Sequence, residues 1–288
     1  MTQPAEISRL PEDWHLYPSV ARVHEFFLGG FQNQYADRHL AGILYESAPW
    51  LPDMIRINER HRPTAVTTLA RDLGISQFLD LGCGLPSGWN KRLQCADPPH
   101  TYDAAMAIHP DARVVYVDND PMVCAHARTE LDVNANTAVV AADVREIHGL
   151  LQNPRIEALS AGPIAVLAHD LLPWMSDESA RTVMTVLRDW LPTGSAISVT
   201  HACNGMAAAV MKDLADHYAS AGIIYRPRTL EEIQTLLGPW TPIPPGIVPT
   251  SEWPTTSTSK KSTGRRRCTP NPGGSFAYAA IVTPPAGP

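Results

Sequence analysis

The chain has 288 residues, of which 44% are hydrophobic, enough for one large domain or one domain with an added cap. Its formal charge of −6 gives it no general attraction for phosphate, so a nucleic-acid partner is not expected. No apolar run approaches the length of a membrane span, and the first residues lack the basic-then-apolar order of an export signal.

Residues 1–74 read as an N-terminal helical cap. Ser19 is placed to cap a helix over 21–28, which Gly29-Gly30 ends. A second helix starts near Asp37, and a third covers 52–73 with Met54, Ile55, Val66, Leu69 and Leu73 as its apolar contacts. From residue 75 to 288 the pattern changes to short apolar strands alternating with helices. Strands are expected over 78–81, 114–117, 137–141, 164–168 and 196–200. Helices are expected over 101–108, 121–132, 144–150, 177–190, 205–221 and 229–237. That alternation implies an α/β fold, a mostly parallel sheet with helices on both faces and ligands bound beyond the carboxyl ends of the strands. Residues 239–275 read as irregular, first proline-rich and then polar and basic, with Lys260, Lys261 and Arg265–Arg267 in a solvated loop. A last strand is expected over 276–282.

The most informative stretch is Phe78-Leu79-Asp80-Leu81-Gly82-Cys83-Gly84. It is a buried strand running into a glycine turn, where bare backbone lets a ligand come close. Asp80 is expected to aim an acceptor at the same crevice. The next strand ends in Asp118, Asn119 and Asp120, and Asp143 follows the third. A dinucleotide site wants a third glycine three positions after the second. Here that position holds Ser87, and Pro86 makes an immediate helix start awkward. S-adenosylmethionine needs no phosphate cradle, only room over the glycines and an acid for its ribose, which Gly82, Gly84 and Asp118 supply. The acid normally lies about 20 residues beyond the glycines. Between Gly84 and Asp118 the interval is 118 − 84 = 34, so the stretch from Trp89 to His100 reads as an inserted loop at the ligand end of the sheet.

These residues carry a resemblance. Ala21-Arg22-Val23-His24-Glu25-Phe26-Phe27-Leu28-Gly29-Gly30-Phe31-Gln32-Asn33-Gln34-Tyr35-Ala36-Asp37-Arg38 looks like the signature "ARVYDYLLGGKDNFAADR". Asn58-Glu59-Arg60 matches an "NR"-type pair, residues 78–86 match "FLDIGSGLP", and residues 112–121 match "ARVVYVDNDP". From about Ser19 to Val282 the chain resembles the actinobacterial S-adenosyl methyltransferase family. The resemblance implies a Rossmann-like methyltransferase sheet with an N-terminal helical cap and bound S-adenosylmethionine, and does not specify the methyl acceptor; a small or medium-sized acceptor and a cytoplasmic setting are the expectations for the chain. Two segments depart from the family. The turn is not followed by "NVHEVAQ", and the fourth strand ends in Leu167-Ala168-His169-Asp170-Leu171-Leu172 rather than a "VLHFV"-like segment. A silent S-adenosylmethionine-binding module and an NAD-dependent oxidoreductase stand as alternatives.

Within that reading Gly82, Cys83 and Gly84 lie under the methionine arm. Asp118 takes the ribose hydroxyls, with Asn119 at the rim and Asp143 and Val144 beside adenine. The loop holding Gly30 and Asn33 is expected to fold over the cofactor, with Arg22 or Asn33 reaching its carboxylate. His169 and His201, each at a strand end, are the candidate general bases, and each is also a residue type that often serves packing alone. The cysteines Cys83, Cys95, Cys124, Cys203 and Cys268 show no paired spacing, which fits free thiols in a reducing compartment. No histidine, cysteine or aspartate spacing suggests a metal site.

Overall fold

The computed structural model describes residues 12–86, 98–205, 207–254 and 275–285. Ser87, Gly88, most of the expected inserted loop and the basic run lie outside the described residues.

Three helices come first: α1 (Val20–Phe27), α2 (Tyr35–Ser47) and α3 (Leu51–Asp72). Ser19 caps α1 by accepting from the Arg22 N–H at 3.3 Å. Five parallel strands follow: β1 (Gln77–Leu81), β2 (Arg113–Asp118), β3 (Thr137–Ala141), β4 (Ile164–His169) and β5 (Ala196–Ala202). Helices α4 (Thr101–Met106), α5 (Pro121–Glu130), α6 (Ile147–Leu151), α7 (Pro154–Glu157) and α8 (Asp177–Trp190) lie between them. Helices α9 (Ala208–Ser220) and α10 (Leu230–Leu237) lead to β6 (Thr241–Pro242), β7 (Val248–Pro249) and β8 (Ala277–Thr283).

The sheet runs β3-β2-β1-β4-β5-β8-β6, with β7 also paired to β8. The chain builds outward from β1 to β3, then returns to place β4 on the other side of β1. The crevice between β1 and β4 is therefore the topological switch point, where open α/β sheets bind ligands. Strand β8 runs antiparallel to β5. Phe78, Val114, Tyr116 and Leu167 face α3, α4 and α5, while Leu79, Leu81, Val115, Val117 and Val166 face α6, α7, α8 and α10. Both faces are covered, which is why the central strands read as unbroken apolar runs. On α8 the buried residues Ala180, Val183, Met184 and Leu187 follow the helical repeat.

A third core joins Val23, Leu40, Leu44, Met54 and Ile55 of the first three helices to Met211, Leu214 and Tyr218 of α9 and to Ala202 and Ala277 at the sheet. The N-terminal helices thus sit over one end of the sheet and are held there by late parts of the chain.

Several boundaries differ from expectation. The helix expected over 144–150 is a 3-10 turn (Val144–Glu146) followed by α6, and α7 was not anticipated. Helix α9 begins at Ala208 rather than residue 205. The proline-rich segment is not wholly irregular, since β6 and β7 both pair with β8. Proline is tolerated there because these are short edge strands.

Candidate functional site

A cavity of about 480 Å³ opens beyond the carboxyl ends of the parallel strands, roofed by α1 and α3. Its floor is the turn after β1. Gly82 and Gly84 have φ of +68° and +69°, a conformation that costs a side-chain-bearing residue about 1–2 kcal/mol. The N–H groups of Gly82 and Cys83 both donate to the Val117 carbonyl, at 2.8 and 3.1 Å. The Gly84 N–H donates to Asp118 Oδ2 at 3.1 Å. The turn is thus hung from the end of β2. A Cβ on Gly82 would come within 2.9 Å of Leu171 Cδ1, whereas one on Gly84 would meet nothing within 4 Å. Gly82 is favoured by its positive φ and by the close approach of Leu171, and Gly84 leaves space on the cavity side.

Asp118 is 8% exposed, and its carboxylate reaches the cavity wall. Burial pushes its pKa up to about 6, against the pull of the Asp120 and Gly84 N–H groups that it accepts. Oδ1 takes Asp120 N–H at 2.9 Å and Oδ2 takes Gly84 N–H at 3.1 Å, so each oxygen keeps acceptor capacity for a ligand. That pair of oxygens suits two neighbouring hydroxyls. Asp120 caps α5 by accepting from Met122 N–H at 2.8 Å, which leaves Asp118 free of capping duty. On the far rim Asp143 caps the turn after β3 and is gripped by Arg145, whose hydrogen bonds hold its carboxyl below the usual range. Asn119 donates to Asp143 at 3.4 Å, and Val144 adds a buried apolar surface beside them.

The opposite wall comes from α1, α3 and the tip of β4. His169 Nε2 lies 2.8 Å from Ser198 Oγ. Burial, with the neighbouring His61, drives its pKa well below the usual value, so the imidazole is neutral and a weak base. Next to it Asp170 has φ of +49°, uncommon for a residue with a side chain. Its N–H is shared between the Thr200 carbonyl (3.0 Å) and Thr200 Oγ1 (2.8 Å). Burial, with Glu59 adding to it, pushes the Asp170 carboxyl up to about 8. His24 Nδ1 lies 3.9 Å from Asp170 Oδ2, and burial takes this imidazole down to about 4. Asn58 also lines the cavity, and neither atom of its buried amide has a partner. Arg62 reaches the wall paired with Glu59.

Gly82, Cys83, Gly84, Asp118, Asn119, Asp143, Val144 and His169 therefore meet on one cavity, as expected. Five others do not line it. Asp80 shares the sheet face of Phe78 and accepts from Thr101 Oγ1 at 2.6 Å, so it is turned towards α4 and not into the crevice. Arg22 is spent inside the protein: its Nε donates to Asp37 at 2.7 Å, its Nη2 donates to the Trp14 and Tyr17 carbonyls, and its Nη1 lies 3.9 Å from Asp120 Oδ2. Gly30 and Asn33 serve Glu25. Asn33 Nδ2 donates to Glu25 Oε2 at 2.7 Å, and a Cβ on Gly30 would fall 1.8 Å from Glu25 Oε1. His201 is fully buried between the Ala202 carbonyl (2.8 Å) and Arg228 (2.9 Å). Its Nε2 lone pair is taken by the guanidinium, and burial lowers its pKa to about 3, so it has no basic nitrogen to offer. Cys83 is a buried thiol whose pKa burial raises well above the ordinary value, which leaves it un-nucleophilic.

Sequence reasoning missed Glu25, Asn58, Glu59, Arg62, Asp170 and Trp174. One signal was present: Ile55, Asn58 and Arg62 share a helical face, so polar side chains interrupt an apolar stripe of α3. Among the described residues no group of histidine, cysteine, aspartate or glutamate is arranged to hold a metal ion, and no helix is long and apolar enough to cross a membrane.

Comparison with known proteins adds four findings. A family model described as S-adenosyl methyltransferase matches residues 14–278. A Thermobifida fusca crystal structure, described as a candidate methyltransferase, is 33% identical with a TM-score of 0.81, over 94% of this chain and 96% of that one. A DUF574 family protein from Streptomyces avermitilis is 26% identical with a TM-score of 0.82, over 94% and 99% of the two chains. No curated protein matches the chain.

Proposed function

The chain belongs to the S-adenosyl methyltransferase family and is an S-adenosylmethionine-dependent methyltransferase; on that premise we propose how the cavity holds the methyl donor and what it methylates. Gly82, Cys83 and Gly84 carry the donor's amino-acid arm on bare backbone. Asp118 accepts from both ribose hydroxyls, and Asn119, Asp143 and Val144 border the adenine. The residues present fit this group: the acceptor capacity left on Asp118 and the open space over Gly84 match a ribose and an adjoining chain. The hydrogen bond from Gly84 N–H to Asp118 Oδ2 carries the reading, because it joins the bare turn and the acid into one receptor.

S-adenosylmethionine supplies a methyl group on a sulfonium sulfur. The chain's own part is to align an acceptor with that group and to exclude water, which governs the rate of such a displacement. Within the expected cap over 1–74, the described helices α1 and α3 close the cavity. The cavity volume is in the range of small-molecule sites, which supports a small or medium-sized acceptor. The net charge of −6 speaks against nucleic acid as that acceptor. Free thiols at Cys83, Cys124 and Cys203 support a cytoplasmic setting. The N-terminal signature over 21–38 supports an actinobacterial branch of the family.

Calorimetric titration with S-adenosylmethionine, S-adenosylhomocysteine and NAD tests the site. One equivalent of each of the first two is expected to bind, and NAD is not. Affinity for NAD without affinity for S-adenosylhomocysteine would overturn the proposal.

A further inference from the structure

We propose that the wall made by α1, the middle of α3 and the tip of β4 is the acceptor subsite, that it takes an amine, and that the Asp170 carboxylate receives the amine's proton; this rests on the donor site proposed above. Asp170 is the one residue other than glycine with a positive φ among the described residues. Strained backbone of this kind persists only where the surroundings enforce it, and the double hold of Thr200 on the Asp170 N–H does so. Its Oδ1 is buried without a partner.

Asn58 is a second and independent observation. Its side chain is 7% exposed and lines the cavity, yet both its amide oxygen and its amide nitrogen lack partners. An unmatched buried amide costs roughly 1–3 kcal/mol, which a ligand offering a donor and an acceptor would recover. The Trp174 ring completes the wall, backed by Tyr218 and Tyr225 at 5.1 and 4.5 Å between ring centroids. An aromatic ring beside a carboxylate is a setting that favours an ammonium group.

Charge points the same way. The two arginines on the cavity, Arg62 and Arg145, are paired with Glu59 and Asp143. A carboxylate or phosphate acceptor would find no unpaired cation among the described lining residues. An amine finds Asp170. The groups facing that carboxyl are His24 from α1, Glu59 from α3, Tyr218 from α9 and Tyr225 after it. Burial keeps His24 neutral, so it supplies no competing charge.

An alkylammonium has no lone pair to attack with. On transfer to Asp170 the N–H bond breaks, its electron pair stays on nitrogen, and an O–H bond forms on the carboxylate. Burial holds the Asp170 carboxyl at a pKa of about 8, so it is largely protonated at pH 7 and takes the amine's proton where higher pH or the bound ammonium itself has ionised it; once ionised, its raised proton affinity narrows the gap to the amine.

The test titrates the protein, saturated with S-adenosylhomocysteine and held at about pH 9, above the pKa of about 8 so that Asp170 is ionised, with phenethylamine and with 2-phenylethanol. The amine is expected to bind at least about tenfold more tightly than the alcohol, as one charged hydrogen bond implies. Asp170→Asn keeps the side-chain shape and tolerates the left-handed backbone, so it is expected to abolish this preference with S-adenosylhomocysteine affinity unchanged. If that variant does not fold, Asp170→Gly replaces it. Equal binding of the two probes, binding of neither, or a preference that survives the substitution overturns the inference. Failure of S-adenosylhomocysteine to bind the unaltered protein would instead remove the donor site.

Discussion

Donor affinity is expected to fall in acid because of Asp118. Its pKa in the folded chain is about 6 and its ordinary value 3.8. Only the ionised carboxylate accepts from both ribose hydroxyls. At pH 7 about nine-tenths of the group is ionised and at pH 5 about one-tenth, so affinity should drop about tenfold, or ~1.4 kcal/mol, between them. The sign for stability is opposite. A raised carboxyl pKa favours the donor-free fold below 3.8, and that contribution is lost as pH rises through about 6. Added donor should therefore raise the melting temperature more at pH 7 than at pH 5. Titration calorimetry with S-adenosylhomocysteine at pH 5, 6 and 7, in two buffers of different ionisation enthalpy, measures both the affinity and the protons released. Release should approach one proton per donor at pH 5 and fall towards none at pH 7. Asp118→Asn should flatten this dependence and weaken binding at pH 7 by about 1.5–3 kcal/mol, the value of a hydrogen bond to a charged group. An Asn variant with the slope of the unaltered protein would refute the reasoning.

Two alanine substitutions in one turn should separate packing from binding. Gly82→Ala drives a methyl against Leu171, so chemical denaturation should show a loss above the ~1–2 kcal/mol of backbone strain. Gly84→Ala should cost stability only that strain while S-adenosylhomocysteine affinity falls at least tenfold, as a methyl enters space left for the ligand. Arg228→Ala strips the donor from the Leu172 and Met175 carbonyls and from His201, so urea unfolding should register a loss on the order of 3 kcal/mol. Gly30→Ala must displace the Glu25 carboxylate from the Gln32 N–H and from Asn33, and a melting temperature equal to that of the unaltered chain would contradict this account.

The strands and the glycine turn were legible because their signals are local. Each central strand is an unbroken apolar run, and Gly82, Gly84 and Asp118 sit at strand ends that the parallel register brings side by side. What escaped notice depends on partners far along the chain. Arg22 looks free for a ligand until Asp37 arrives from α2, and His201 looks basic until Arg228 covers it. Asp80 was misdirected although period-two alternation already places it with Phe78, away from the crevice face. Asp170 and Asn58 come from β4 and α3, and no spacing within either segment announces that they border one cavity. The short strands near Pro242 and Pro249 exist because β8 offers them an edge.

The shared core of the first three helices with α9 and Ala277 has a consequence for synthesis. Helices α1 to α3 have their apolar stripe completed by residues made more than 150 positions later. Until those are made, Val23, Leu44 and Met54 lack native neighbours and leave apolar surface uncovered. The roof over the strand tips therefore takes its native packing only once α9 and β8 are in place.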